Sequence, residues 1–243
     1  MRLNRYLAAS GTASRRTCDD LIAAGEVQVN GLTVTEPWYD VNTDSDRVEV
    51  SGAVVSLPET PRYILVHKPA GTITTVTDTH GRPTVLALVQ EKAAGRRLYP
   101  VGRLDADTTG ALLLTDDGDL THRLTHPSFE SRKEYLVRLD RPLSAREREL
   151  LAAGIELEDG PVKPDEITLT DTGTVRLVLH EGRKRIVKRL FAALGITVTG
   201  LHRSRFAGLS ADDLPVGGSR ELSGDEADAL RRSVGLEPLR KDS

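Results

Sequence analysis

Gly102-Arg103-Leu104-Asp105-Ala106-Asp107-Thr108-Thr109-Gly110-Ala111-Leu112-Leu113-Leu114-Thr115-Asp116-Asp117-Gly118 has two halves that ask for different surroundings. The apolar run over 111–115 predicts a buried strand. In the polar half before it, one aspartate, Asp105, stands two residues after an arginine, Arg103. Asp107 and Thr108 have the chemistry to satisfy the backbone of a bend. Leu112 to Leu114 anchor the segment in a core, so the carboxylate is expected on a rigid element at its edge. Arg103 is expected to pair with Asp105 and keep it ionised. One carboxylate beside a fixed cation suits an active site that uses a single acid.

Outward from this stretch, strand-like runs recur at 63–66, 135–139, 166–170 and 174–179. Helical patterns occur near 84–92, 119–125, 144–152, 184–194 and 224–233. They mix without a βαβ rhythm, which predicts an α+β domain over about 62–235 with a mixed, mainly antiparallel sheet flanked by helices. A smaller unit precedes it, with its linker, over 1–58. There Leu3, Tyr6 and Leu7 share a helical face, and Gly11 ends that helix. Ser14 caps a second helix, with Cys18, Leu21 and Ile22 inward and Gly25 as its stop. Val27 and Val29 alternate as a strand, and Asn30-Gly31 signals a hairpin continued by Leu32 and Val34. Arg47 to Val50 is a further strand, and 51–61, with Pro58 and Pro61, reads as a linker.

The 38% apolar and 28% charged residues are those of a soluble globular protein, and no apolar run is long enough to cross a membrane. Neither a membrane partner nor a secretory leader is expected, and a cytoplasmic location follows. The single cysteine, Cys18, excludes an internal disulfide. His122 and His126 are spaced as metal ligands on a helix but have no third ligand, so no metal site is expected. No glycine loop for a nucleotide is present, and no cofactor is expected. Net charge is only −3, yet 176–205 carries eight basic residues against one acid, Glu181. A local basic field on a mildly acidic chain suits a polyanion docked on one face.

Three further segments carry chemistry. Lys133-Glu134-Tyr135-Leu136-Val137 places an aromatic on a strand, where an ordinary core tyrosine is the plain alternative. In Glu181-Gly182-Arg183-Lys184-Arg185-Ile186-Val187-Lys188-Arg189-Leu190-Phe191, the apolar residues form a helical stripe. Arg183, Lys184 and Arg185 then fall in the first helical turn, opposed to the helix dipole, an arrangement that a phosphate backbone reconciles. His67-Lys68-Pro69-Ala70-Gly71 is a tight turn.

Together these phrases resemble the motifs of ribosomal RNA pseudouridine synthases of the RsuA/RluB type. Residues 102–110 match Gly-Arg-Leu-Asp-x-Asp-Thr-Thr-Gly, 133–137 match Lys-x-Tyr-x-Val, and 67–71 resemble Asn-Lys-Pro-x-Gly with His67 in place of Asn. In the basic motif the usual Gln is Ile186. Residues 2–48 are similar to the RNA-binding module named after ribosomal protein S-four, on the phrase Ser14-Arg15-Arg16 and the run Leu21 to Gly31. The resemblance implies that Asp105 is the nucleophile, that Tyr135 stacks on the target base and moves protons, and that Lys188 contacts the catalytic carboxylate. It implies RNA contacts from Arg15, Arg16, Lys68, Arg183, Lys184, Arg185 and Arg189. The expected partner is ribosomal RNA or a ribosomal assembly intermediate, 23S before 16S, met by a monomer. A structural role is expected for Asp107, against its reading as the second acid of a glycosidase. A binding protein without activity and a nucleoside hydrolase are the alternatives.

Overall fold

The structure, a computed structural model, describes residues 1–171 and 173–239. The chain divides into two compact units, one of Met1–Pro61 with Asp116–Gly118, the other comprising the remainder.

In the first unit, α1 (Leu3–Ala9) and α2 (Arg15–Ala23) precede four short strands, β1 (Val27–Val29), β2 (Leu32–Thr33), β3 (Val48–Val50) and β4 (Ala53–Val55). Ser14 caps α2 by accepting from the Thr17 amide at 3.1 Å. Asn30 and Gly31 both take positive φ, 53° and 80°, as the two-residue hairpin between β1 and β2 requires. Leu3, Leu7, Cys18, Ile22, Val27 and Val48 close one core. The expected linker 51–61 is corrected at its start, where Ala53–Val55 pairs with β3 and completes the order β2-β1-β3-β4. Ser51 and Gly52, at φ 48° and 81°, form the turn that returns the chain, a signal overshadowed in the sequence by the two prolines beyond it.

The second unit runs through β5 (Tyr63–Lys68), α3 (Gln90–Ala93), β6 (Tyr99–Pro100), β7 (Thr109–Thr115) and α4 (Gly118–Thr125). It continues with β8 (Lys133–Leu139), α5 (Ala145–Ala153), β9 (Ile155–Leu157), β10 (Gly160–Val162), β11 (Glu166–Asp171) and β12 (Thr174–Leu179). α6 (Ile186–Ala192), β13 (Val198–Phe206), β14 (Leu209–Ser210), β15 (Ser219–Glu221) and α7 (Gly224–Ser233) complete it. A nine-stranded sheet follows the path β11-β12-β8-β13-β7-β5-β15, with β14 on β13 and β6 on β7. Its pairings are antiparallel except for β13 with β7. The fold is thus α+β with a mixed, mainly antiparallel sheet.

β5 and β7 are apolar without alternation because both sheet faces are covered. Leu65, Ala111 and Leu113 pack on one side with α4 and α7, while Ile64, Val66, Leu112 and Leu114 face Val85, Val89 and Leu98 on the other. The parallel pairing brings Gly110 against Arg203, and a Cβ at 110 would lie 2.2 Å from the Arg203 carbonyl oxygen. Only glycine permits that approach, and its φ of 109° also favours glycine.

Two expected helices are shorter than their patterns. Over 84–92 the chain forms a 3₁₀ turn at Ala87–Val89 and then the four-residue α3, interrupted at Val89 by φ −125°. The pattern at 184–194 yields α6 only from Ile186, because Arg185 takes the left-handed conformation at φ 52°. β13 lacks the apolar run that marks the other central strands, and its Gly200, His202, Arg203 and Arg205 hid it.

Candidate active site

Asp105 sits in the turn that feeds β7. The Thr108 amide donates to the Asp105 carbonyl at 3.1 Å, and the Gly71 amide donates to the Ala106 carbonyl at 2.8 Å. The Thr74 hydroxyl donates to the Leu104 carbonyl at 2.8 Å, while Leu104 itself is buried among β5 and β7 side chains. Beneath the turn lies Lys68, at 0% exposure. Its Nζ reaches the carbonyls of Pro69, Asp105, Ala106 and Thr108 at 2.9–3.2 Å. Burial pushes its ammonium down to about 8, against the attraction of Asp107 and Asp105. The expected phosphate contact of Lys68 is therefore corrected: this lysine fastens the turn from inside the fold.

The cation beside the Asp105 carboxylate also differs from expectation. Arg103 is exposed and forms no ion pair with Asp105 among the described residues. Instead Lys188, on α6, places Nζ 3.7 Å from Asp105 Oδ2 and 2.6 Å from each carboxylate oxygen of Asp107. That bond holds the Asp107 carboxyl below its usual range. Asp107, 71% exposed at its side chain, thus takes the greater share of Lys188, and Asp105, 40% exposed, keeps an open side.

That open side faces a cavity of about 710 Å³, lined by Asp105 and Leu104 together with Tyr135, Ile186, Arg203 and Phe206. Tyr135 is buried on β8, and its cross-strand neighbour on β13 is Arg203. Lys133, two residues earlier, also lines the cavity and donates to the carbonyls of Ser131 and His180 at 2.6 and 3.2 Å. Burial first, and the Arg203 charge second, push Lys133 down to about 8.

The basic segment divides. Arg183 bonds Glu181 at 2.6 Å, Asp159 at 2.9 Å and the carbonyls of Asp159, Gly160 and Pro161 where the chain enters β10. Arg189 bonds the other oxygen of Asp159 at 2.8 Å. Both guanidiniums bond acids of the protein itself, and Asp159, which they share, gave no sequence signal of this. The helix-dipole argument is corrected too, since Arg183, Lys184 and Arg185 precede α6. Lys184 and Arg185 are exposed, as are Arg15 and Arg16 in the first unit. His122 and His126 meet Phe129 edge-on, and no metal-binding cluster occurs among the described residues. No helix is long and apolar enough to cross a membrane among the described residues.

Comparison with known proteins places these observations in a family. Residues 62–193 match the RNA pseudouridylate synthase family, and residues 1–48 match the S4 domain. The chain is 40% identical over 236 residues to ribosomal large subunit pseudouridine synthase B of Bacillus subtilis, covering 95% of each chain. It is 41% identical over 241 residues to a protein of Mycobacterium tuberculosis named as an uncharacterized RNA pseudouridine synthase, covering 97% of this chain and 95% of that one. A crystal structure of a pseudouridylate synthase superposes with a TM-score of 0.69 at 33% identity, covering 95% of this chain and 99% of the other.

Proposed function

Because the chain belongs to the RNA pseudouridylate synthase family, we propose that it isomerises a uridine of ribosomal RNA, in the large subunit, with Asp105 as nucleophile. The observation that carries this reading is the half-open carboxylate of Asp105 on the wall it shares with Tyr135, with the Lys188 ammonium 3.7 Å away. The name of the Bacillus subtilis relative supports the large subunit.

The substrate docks through its phosphates on Arg15, Arg16, Lys184 and Arg185, all exposed cations. Arg183 and Arg189 act behind them by fixing the turn at Asp159. The target uridine leaves its stack, at a cost of a few kcal/mol, and its base lies on Tyr135. Asp105 attacks the nucleoside, with the Lys188 ammonium 3.7 Å from its carboxylate. C1′ passes from N1 to C5; the hydrogen on C5 is lost and N1 gains one. Composition is unchanged, and the reaction consumes no redox partner. Water has to be kept from the severed glycosidic bond, which it would otherwise hydrolyse. Its partner is ribosomal RNA or an assembly intermediate, met by a monomer.

The test uses 23S and 16S transcripts tritiated at C5 of uridine, with carbodiimide mapping of the product. Wild-type protein is expected to release tritium from the 23S transcript and leave one mapped pseudouridine. Asp105→Asn is expected to bind the same transcript and release none. Normal turnover by that variant, or free uracil as the product, overturns the assignment.

A further inference from the structure

Two buried polar atoms on residues that line the Asp105 cavity have no hydrogen-bond partner among the described residues: Arg203 Nη2 and Thr108 Oγ1. Arg203 is the more telling. It is 2% exposed, yet carries a guanidinium, a group seldom buried without a partner. Its position is built. Nε donates to the Ala111 carbonyl at 2.8 Å, and the guanidinium lies over the Phe206 ring at 4.6 Å. The bare backbone of Gly110, its neighbour on β7, gives the arginine no competing side chain there. On its other flank the cross-strand partner is Tyr135, so both side chains share one face of the sheet.

An ion so placed, held through Nε by the Ala111 carbonyl and bonded by the Tyr135 side chain but with Nη2 idle, is destabilising unless something accepts from that nitrogen. The protein's own acids do not. Glu134 bonds Arg176, Asp105 and Asp107 share Lys188, and Glu181 bonds Arg183. Lys133, a further buried cation lining the cavity, adds like charge rather than relief. The missing acceptor therefore comes from the ligand.

We infer that Arg203 is a substrate-contacting residue, whose Nη2 donates to a carbonyl oxygen of the extruded uracil ring while Tyr135 covers its face. The inference rests on the reading of the site given above and names a group for which that reading has no role. A base oxygen is favoured over a phosphate because Arg203 is buried in the wall beside Tyr135, whereas the phosphate-directed cations Lys184 and Arg185 are exposed. Uracil offers two carbonyl acceptors, and both gain negative charge when the ring leaves C1′ with the N1 electron pair. Donation from Arg203 strengthens as that charge develops, so its effect falls on the rate rather than on binding.

The full chain with Arg203→Met keeps most of the side-chain volume over Phe206 and removes the donors; Arg203→Lys keeps the charge and removes the fork. In single-turnover tritium release, both are expected to lose about 100-fold in rate while RNA affinity stays within about twofold. Full wild-type rate in a folded Arg203→Met overturns the inference. So does a loss confined to affinity with a shallower salt dependence, which assigns Arg203 to phosphate. Should the variants fail to fold, the wild-type protein answers by itself. Transcripts carrying 2-thiouridine or 4-thiouridine at the mapped position replace each carbonyl oxygen in turn. One of the two is expected to react about tenfold slower than the other, and equal rates with uridine for both overturn the inference. Wild-type protein inactive on every ribosomal transcript refutes the proposed function instead, which keeps the two failures distinct.

Discussion

Lys68 and Lys188 approach the same turn from opposite sides. Lys68, at the end of β5, comes from beneath and meets only backbone carbonyls. Lys188, on α6, meets carboxylates, those of Asp105 and Asp107. The first is sealed from water and holds the shape of the chain; the second leaves one acid, Asp105, incompletely neutralised. Partner chemistry and exposure, rather than residue type, separate a fastening from a reactive arrangement. A lysine surrounded by peptide oxygens has no capacity left for substrate.

The largest effect on the fold is expected at Lys68. Lys68→Met removes the shared donor of four carbonyls, of which those of Asp105 and Ala106 keep a backbone amide, and is expected to destabilise by about 3 kcal/mol, with activity lost because the turn loosens. Thermal or urea unfolding checks this; a variant as stable as wild type breaks the contrast. Lys188→Met is expected to do the reverse, lowering the single-turnover rate about 100-fold and stability by less than about 1 kcal/mol. Paired unfolding and tritium-release measurements decide, and equal losses from both lysine variants would erase the distinction.

Asp107→Asn releases Lys188 toward Asp105. Its side chain is largely exposed, so stability should change by less than about 1 kcal/mol, and turnover should persist. Inactivity as complete as that of Asp105→Asn would move the nucleophile to residue 107.

The smallest effect concerns pH. Lys68 has a folded pKa of about 8, below its unfolded value of 10.5, so between these limits the unfolded chain binds more protons. The contribution of Lys68 to stability is therefore least below pH 8 and rises as pH climbs toward 10.5. The stability difference between wild type and Lys68→Met should widen over that window; urea midpoints at pH 7.5 and 10 measure it. A constant gap means that the ammonium is not desolvated.

Much of this architecture was legible because apolar runs and turn chemistry act locally. The β7 run of Ala111 to Leu114 and the Asn30-Gly31 hairpin are decided within a few residues. The position of Asp105 at the entrance to β7 follows from the same run. What escaped was decided by distant partners. Arg103 lies two residues from Asp105, but the ammonium that reaches it comes from residue 188 across the fold. Lys68, Arg183 and Arg189 read as free cations because nothing local announced the carbonyls or Asp159 that take them. β13 was hidden because its inward charge, Arg203, violates the pattern by which strands are recognised.

At residue 110 the protein depends on an atom it does not have. A single methyl there would wedge the two strands of the parallel seam apart, and with them the wall bearing Tyr135 and the turn bearing Asp105. Substitutions can therefore remodel the rim of the cavity but not this seam. The spacing between Asp105 and Tyr135 is thus a dimension of the backbone rather than of any side chain.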